Sequence, residues 1–313
     1  MPETFVIALG GNAITRPGEP GTIPQQFEHT AETLDHLKPI FRGDARLIIT
    51  HGNGPQIGNI LIRVEEGDRR VPHLPLDTCV SDSQGGMGYM IQRLACELFH
   101  REAIRRGVAT IVTQVLVDPA DPDFGHPSKP IGEFYSREQA AQLRAERPHW
   151  KLCEVEPGRF RRVVPSPHPK SILEQEAILT LAKSGAVVIA CGGGGIPVTW
   201  ADGRLVGVEG VVDKDLASSL LARNIGADKL VIVTSVEQAA IGFGRPGQQW
   251  LGKLAVDQAR EYLNAGEFPP GSMGPKIEAA IQFVECGGGE CIITDTAHVA
   301  DALEGRTGTH IVW

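Results

Sequence analysis

An α/β fold around a mostly parallel sheet is predicted by three features of this 313-residue chain. Short β-branched runs alternate with longer helical patterns, the rhythm of strand–helix crossover units. Three of those runs end directly in glycine-rich turns, as strands do at the carboxyl edge of such a sheet. A hydrophobic content of 42% is enough to bury one large core.

Taken in order, strands are expected at residues 5–9, 46–50, 110–117, 186–191, 229–234, 291–294 and 309–312. Helices are expected at 25–41, 83–106, 171–184, 213–225, 256–264 and 275–286. The second helix shows the reasoning: Met87, Met90, Ile91, Leu94 and Leu98 recur at helical spacing and form one apolar stripe. Such a stripe is core. Residues 118–166 break the rhythm, with Pro119, Pro122, Pro127 and Pro130 among many charges and two short β-like pieces. They are read as an inserted lid subdomain over the sheet edge, within a single domain spanning 1–313.

A net charge of −8 offers no positive field for a nucleic-acid backbone or an anionic membrane. No apolar run approaches the roughly 18 residues of a membrane span. The apolar run within residues 1–11 is too short, and lacks the cationic lead-in, for a signal peptide, so a cytoplasmic protein is expected. Six cysteines are scattered without metal or redox spacing, and are read as reduced, mostly buried thiols.

The glycine-rich turns carry the first chemical signal. They are Leu9-Gly10-Gly11-Asn12, His51-Gly52-Asn53-Gly54-Pro55 and Cys191-Gly192-Gly193-Gly194-Gly195. Glycine lets backbone N–H groups crowd around an anion, and a following helix adds its positive end. Three such turns at one sheet edge imply a polyphosphate seat. Two familiar fingerprints fail nearby. Gly247 to Lys253 has P-loop spacing, but Leu254 stands where a magnesium-binding hydroxyl belongs; Gly52, Gly54 and Gly58 miss the dinucleotide pattern by one residue.

Phosphoryl transfer also needs cations around the charge that spreads over the phosphoryl oxygens. Asp213-Lys214-Asp215 reads as a capped helix start, and a lysine in that first turn opposes the helix dipole unless an anion sits there. Gly271-Ser272-Met273-Gly274-Pro275-Lys276 repeats the design, with Pro275 in the first helical position. Lys129 lies in the excursion, where it could swing over the site. An acceptor that is already an oxyanion would require no general base. No histidine is assigned a catalytic or metal role.

Together, ALGGNA (8–13), HGNGPQ (51–56), KPIGEFY (129–135), CGGGGIPV (191–198), EGVVDKDLAS (209–218) and GSMGPK (271–276) resemble the carbamate kinases of the amino-acid kinase superfamily. The resemblance runs from Phe5 to the closing GTHIV (308–312). It implies an open αβα sandwich, with the acceptor site in the N-terminal half and ATP or ADP in residues 186–313. It implies that Gly10, Gly11, Asn12, Gly52, Asn53 and Gly54 hold the phosphoryl group and carbamate. Lys214 and Lys276 would neutralise the phosphates, Asp213 would orient those two lysines, and Lys129 would come from the lid. Thr234, Ser235, Val236, Met273 and Gly274 would face the nucleotide. Mg2+ would bridge ATP phosphates with few direct protein ligands, and the protein would be a homodimer. Ala8 stands where acetylglutamate kinase-like members carry lysine, which argues against an N-acetylglutamate or aspartate substrate and makes Lys129 the replacement cation. Asp82 is unusual for the pattern and bears on substrate choice if it approaches the acceptor. The alternative reading is a related acylphosphate-forming kinase acting on another small carboxylate or carbamoyl compound; a non-catalytic nucleotide sensor would lack these lysines or turns.

Overall fold

The computed structural model describes residues 2–313 except Pro17, Asp68 and Arg69, and excludes the side chain of Asn12. Eight strands form the central sheet in the order Lys253–Ala255, Thr309–Val312, Glu290–Asp295, Lys229–Thr234, Thr4–Leu9, Arg46–His51, Val187–Ile189 and Val108–Thr110. All neighbouring pairs are parallel except Glu290–Asp295 with Thr309–Val312, so the strands at one edge run against the rest. The central strands are buried along almost their whole length, as expected of a parallel sheet covered on both faces. The helices Ile23–His36 and Leu76–Arg101 cover one face, and Gln175–Lys183, Lys214–Asn224 and Met273–Glu285 cover the other. This is the predicted α/β architecture.

Several boundaries move, for physical reasons. The strand expected at 110–117 is two strands, because Gln84 enters the chain between them: its amide oxygen accepts from Thr113 N (2.8 Å) and its nitrogen donates to Thr113 O (3.1 Å). Gln114–Val117 therefore leaves the central sheet for a four-stranded one, in the order Arg204–Gly207, Ile196–Ala201, Gln114–Val117, Pro169–Ile172. The helix expected at 25–41 breaks at Leu37, just ahead of Pro39, which lacks the N–H to continue the ladder. Residues 169–172 are a strand, so that helix begins only at Gln175. The turn at Gly54-Pro55 predicts a helix start without an end, and the helix runs over Gly54–Gly67.

Within 118–166, three antiparallel strands, Lys129–Tyr135, Arg159–Val164 and Lys151–Glu156, carry the helix Arg137–Glu146. Tyr135, Ala140, Trp150, Leu152 and Phe160 give this unit a small core of its own. Its first strand packs on the helix Gly54–Gly67, where Gly58 faces Gly132 and no side chain separates the backbones. Among the cysteines, Cys79, Cys191 and Cys291 are buried while Cys96, Cys153 and Cys286 are exposed, so only half match the expected burial; all six are free thiols.

Candidate active site

The carboxyl ends of the strands Thr4–Leu9, Arg46–His51 and Lys229–Thr234 lie side by side, which brings their turns together. Gly10 is required by close approach: a Cβ there would stand 2.6 Å from Val233 O. At Gly52, a Cβ would lie 3.6 Å from Lys214 Cδ and 3.8 Å from Gly11 N. Gly11, Gly52 and the Lys214 side chain thus share one small space. Asn53 is buried, with its Nδ2 donating to Ser83 Oγ at 2.8 Å. Its side chain is held against the helix Leu76–Arg101, and Gly54 opens the next helix.

The third glycine turn departs from the sequence reading. Gly192, Gly193 and Gly194 are buried, and Gly193 has a φ of 66°. A side chain at Gly193 would collide with the amide of Asn53, and one at Gly194 with Val212 O, just ahead of Asp213. This turn is a spacer wedged between the second glycine turn and the helix that carries Lys214.

All three expected lysines gather on two neighbouring carboxylates. Asp213 caps the helix Lys214–Asn224, its Oδ1 accepting from Asp215 N at 2.9 Å, while its Oδ2 accepts from Lys129 Nζ at 2.7 Å. Asp215, only 3% exposed, takes Lys214 Nζ on Oδ1 (2.6 Å) and Lys276 Nζ on Oδ2 (3.0 Å). Lys214 Nζ also donates to Ala8 O (3.4 Å) and Lys276 Nζ to Ser272 O (3.2 Å). The expectation that Asp213 orients Lys214 and Lys276 is corrected here: Asp215 makes those bonds, and Asp213 holds Lys129. The expected replacement of a cation at position 8 by Lys129 also changes, since the ammonium that reaches Ala8 is that of Lys214.

Electrostatics follow from this packing. Burial raises the Asp215 pKa, but the two ammonium groups outweigh it and hold the carboxyl at about 2. Burial lowers the Lys214 pKa; Asp215 pulls it back and Lys276 pushes it down again. Buried His51 is lowered to about 4, first by desolvation, against the opposing hydrogen bond that its Nδ1 makes to Gly52 O (3.0 Å), with Lys214 adding to the depression. The imidazole is therefore neutral at pH 7, and it braces the second glycine turn.

Thr234, Ser235, Val236 and Met273, the residues expected to face a nucleotide, line one cleft of about 130 Å3 together with Phe243, Ala240 and Pro269. Gly274 is buried beside Pro269, in the first turn of the helix Met273–Glu285. That helix starts at Met273, so Pro275 sits two positions deeper than expected. Ser272 joins this cleft to the lysine cluster, because it lines the one and its carbonyl accepts from Lys276. Phe243 escaped the sequence reading. It lies between the short strands Ala239–Ile241 and Gln249–Leu251, is 55% exposed, and meets Trp250 edge to face at 6.2 Å. Gly247–Leu251 of the P-loop-like segment belong to this hairpin, and Lys253 begins the edge strand of the central sheet.

Two expected features stay outside this cluster. Asp82 is exposed and lines a groove with Arg63, Val71 and Leu74. The Asn12 side chain lies outside the described residues, although its backbone forms the short turn after Gly10. Among the described residues no group of three or more His, Cys, Asp and Glu could hold a metal ion, and both aspartates of the cluster are occupied by ammonium groups. No helix among them is long and apolar enough to cross a membrane.

Comparison with known proteins fits this geometry. The profile of the amino acid kinase family matches residues 3–295. The carbamate kinase of Thermococcus kodakarensis is 45% identical, with 99% of each chain covered. The carbamate kinase-like protein YahI of Escherichia coli is also 45% identical, over 100% of this chain and 99% of its own. Among solved structures, Giardia lamblia carbamate kinase bound to AMP-PNP superposes with a TM-score of 0.93 at 38% identity, covering 99% of this chain and 98% of that one.

Proposed function

This chain belongs to the amino acid kinase family, and from that premise we propose that it interconverts ATP and carbamate with ADP and carbamoyl phosphate. The observation that carries the reading is the gathering of Lys129, Lys214 and Lys276 on Asp213 and Asp215, beside the glycine turns at Gly10–Gly11 and Gly52. In the direction of carbamoyl phosphate, a carbamate oxygen attacks the γ-phosphorus of ATP, and the bond from that phosphorus to the β,γ-bridging oxygen breaks to release ADP. The reverse reaction breaks the carbamoyl–phosphate link by attack of an ADP oxygen. In neither direction does the attacking oxyanion carry a proton, so the residues serve to position the reactants and to balance charge.

In this reading Gly10, Gly11, Asn12, Gly52, Asn53 and Gly54 present backbone and amide donors to the transferred phosphoryl group and carbamate. Lys214 and Lys276 neutralise the phosphate oxygens, and Asp215 keeps both ammonium groups aimed at one place. Lys129 enters from residues 118–166, which act as the lid. The nucleotide base lies in the cleft of Val236, Phe243 and Met273, within the half formed by residues 186–313. Mg2+ would be held by the nucleotide's own phosphates, since the cluster aspartates are already paired. A cytoplasmic homodimer completes the proposal, and light scattering of the purified chain tests its assembly.

The deciding experiment mixes the protein with Mg2+, ADP and carbamoyl phosphate and follows ATP. Formation of ATP is expected; its absence while acetyl phosphate supports turnover would replace carbamate by another acceptor.

A further inference from the structure

The Asn53 amide has a fixed orientation, and Ser83 on the helix Leu76–Arg101 fixes it. Ser83 is 2% exposed, and its one hydroxyl proton goes to Val80 O at 2.7 Å. Its Oγ therefore only accepts in the bond to Asn53, which requires Nδ2 there and leaves Oδ1 as the acceptor end of the amide. Asn53 stands just ahead of the helix Gly54–Gly67, and its carbonyl accepts from Ile57 N at 2.8 Å. An asparagine in that place ordinarily turns its side-chain oxygen onto the N–H of the second or third helical residue, but Pro55 has none. Oδ1 accepts no hydrogen bond among the described residues, and it is not one of their fully enclosed unpartnered atoms, so one side of it stays open. Its surroundings place it at the seat. Gly52, the residue before, shares its space with Gly11 and Lys214, while Gly193 lies against the amide and Gly194 against Val212 and Asp213, whose carboxylate holds Lys129.

We infer that Ser83 is a positioning residue that makes Asn53 Oδ1 the acceptor for an N–H of the substrate, and so selects a carbamoyl group over an acetyl group of the same shape. This rests on the proposed placement of the phosphoryl acceptor at this turn. The amino group of carbamate can donate to Oδ1, and the methyl of acetate cannot. An amide turned the other way would set N–H against N–H. Backbone N–H groups of the glycine turns remain the donors to the carboxylate and phosphoryl oxygens. Gln84, the residue after Ser83, donates to Gly192 O at 3.0 Å, so one helical turn holds both the amide and the glycine strip it rests on.

The test compares the whole chain with Ser83→Ala and Ser83→Thr. Calorimetry reads the binding of phosphonoacetamide and acetonylphosphonate, stable phosphonates that differ only in carrying an amino group or a methyl. The unaltered chain is expected to bind the amide about tenfold more tightly, the worth of one hydrogen bond to an otherwise unpaired acceptor. Ser83→Ala should bring that ratio close to one, and Ser83→Thr, which keeps the hydroxyl, should preserve it. ATP formation from carbamoyl phosphate and from acetyl phosphate should show the same pattern in kcat/KM. Each ratio comes from a single preparation, so a misfolded fraction cancels. A ratio unchanged in Ser83→Ala overturns the inference, because a merely structural serine weakens both ligands alike; a threonine that behaves as alanine overturns it too. Preference for the amide without ATP formation from either phosphate counts against the kinase reading alone, while ATP formation without that preference counts against the role of Ser83 alone.

Discussion

Lys276 Nζ stands 3.0 Å from Asp215 Oδ2, which ties together the first turns of two helices 61 residues apart in sequence. Asp215 also holds Lys214, so one buried carboxylate sets the spacing of two ammonium groups. Replacing it by asparagine keeps the shape and removes the charge. Asp215→Asn is expected to lower kcat for ATP formation by about 10²- to 10³-fold. It should also cost about 3 kcal/mol of stability, because two enclosed cations lose their partner. Steady-state kinetics and urea denaturation check both; unchanged kcat would remove Asp215 from the site.

Lys129 differs in kind. Its side chain is 39% exposed, so its pair with Asp213 contributes under about 1 kcal/mol to stability. Lys129→Ala is expected to leave the melting temperature nearly unchanged while kcat/KM for carbamoyl phosphate falls about 100-fold. Lys214→Ala should abolish most turnover as well, with the fold intact by circular dichroism.

Acid stability has a defined shape. His51 has its folded pKa depressed to about 4 from 6.5, so the unfolded chain binds its proton first. Stability is then highest above pH 6.5 and declines as pH falls toward 4, by about 3 kcal/mol for this group. Asp215, lowered to about 2 from 3.8, contributes stability present above 3.8 and lost as pH falls toward 2. Chemical denaturation across pH 4 to 7 should show the first decline, and His51→Gln should flatten it.

Phe243 tests the nucleotide side. Phe243→Ala is expected to raise the KM for ADP about fivefold, as loss of a base-stacking ring does, with the KM for carbamoyl phosphate unmoved. A rise in both constants would place the ring outside the nucleotide cleft.

Much of this site was legible because its parts sit at strand ends and helix starts, where glycine, proline and charge stand out. Gly10, Gly52, Lys214 and Lys276 were found that way. The partner of the two lysines was misassigned, because Asp213 and Asp215 lie in the same first turn, and sequence does not say which one turns inward. Phe243 was missed because the chain from 235 to 252 has no alternating pattern, and its short hairpin is fixed by tertiary pairing. The break between Val108–Thr110 and Gln114–Val117 was hidden for a similar reason, since it depends on Gln84 arriving from a distant helix. Gly192–Gly195 has the composition of a phosphate loop, but glycine serves close packing as readily as it serves an anion, and here it admits the Asn53 side chain and the Val212 carbonyl.

That last turn acts as a gauge block. Its own thickness is main chain, bearing on the Asn53 side-chain amide on one side and on the Val212 carbonyl on the other, so the separation between the Asn53 turn and the start of the lysine-bearing helix rests on a side chain pinned by its bond to Ser83. A protein engineer seeking a wider acceptor pocket would therefore start from Asn53 and the Ser83 hydroxyl that pins it, or lengthen the turn itself.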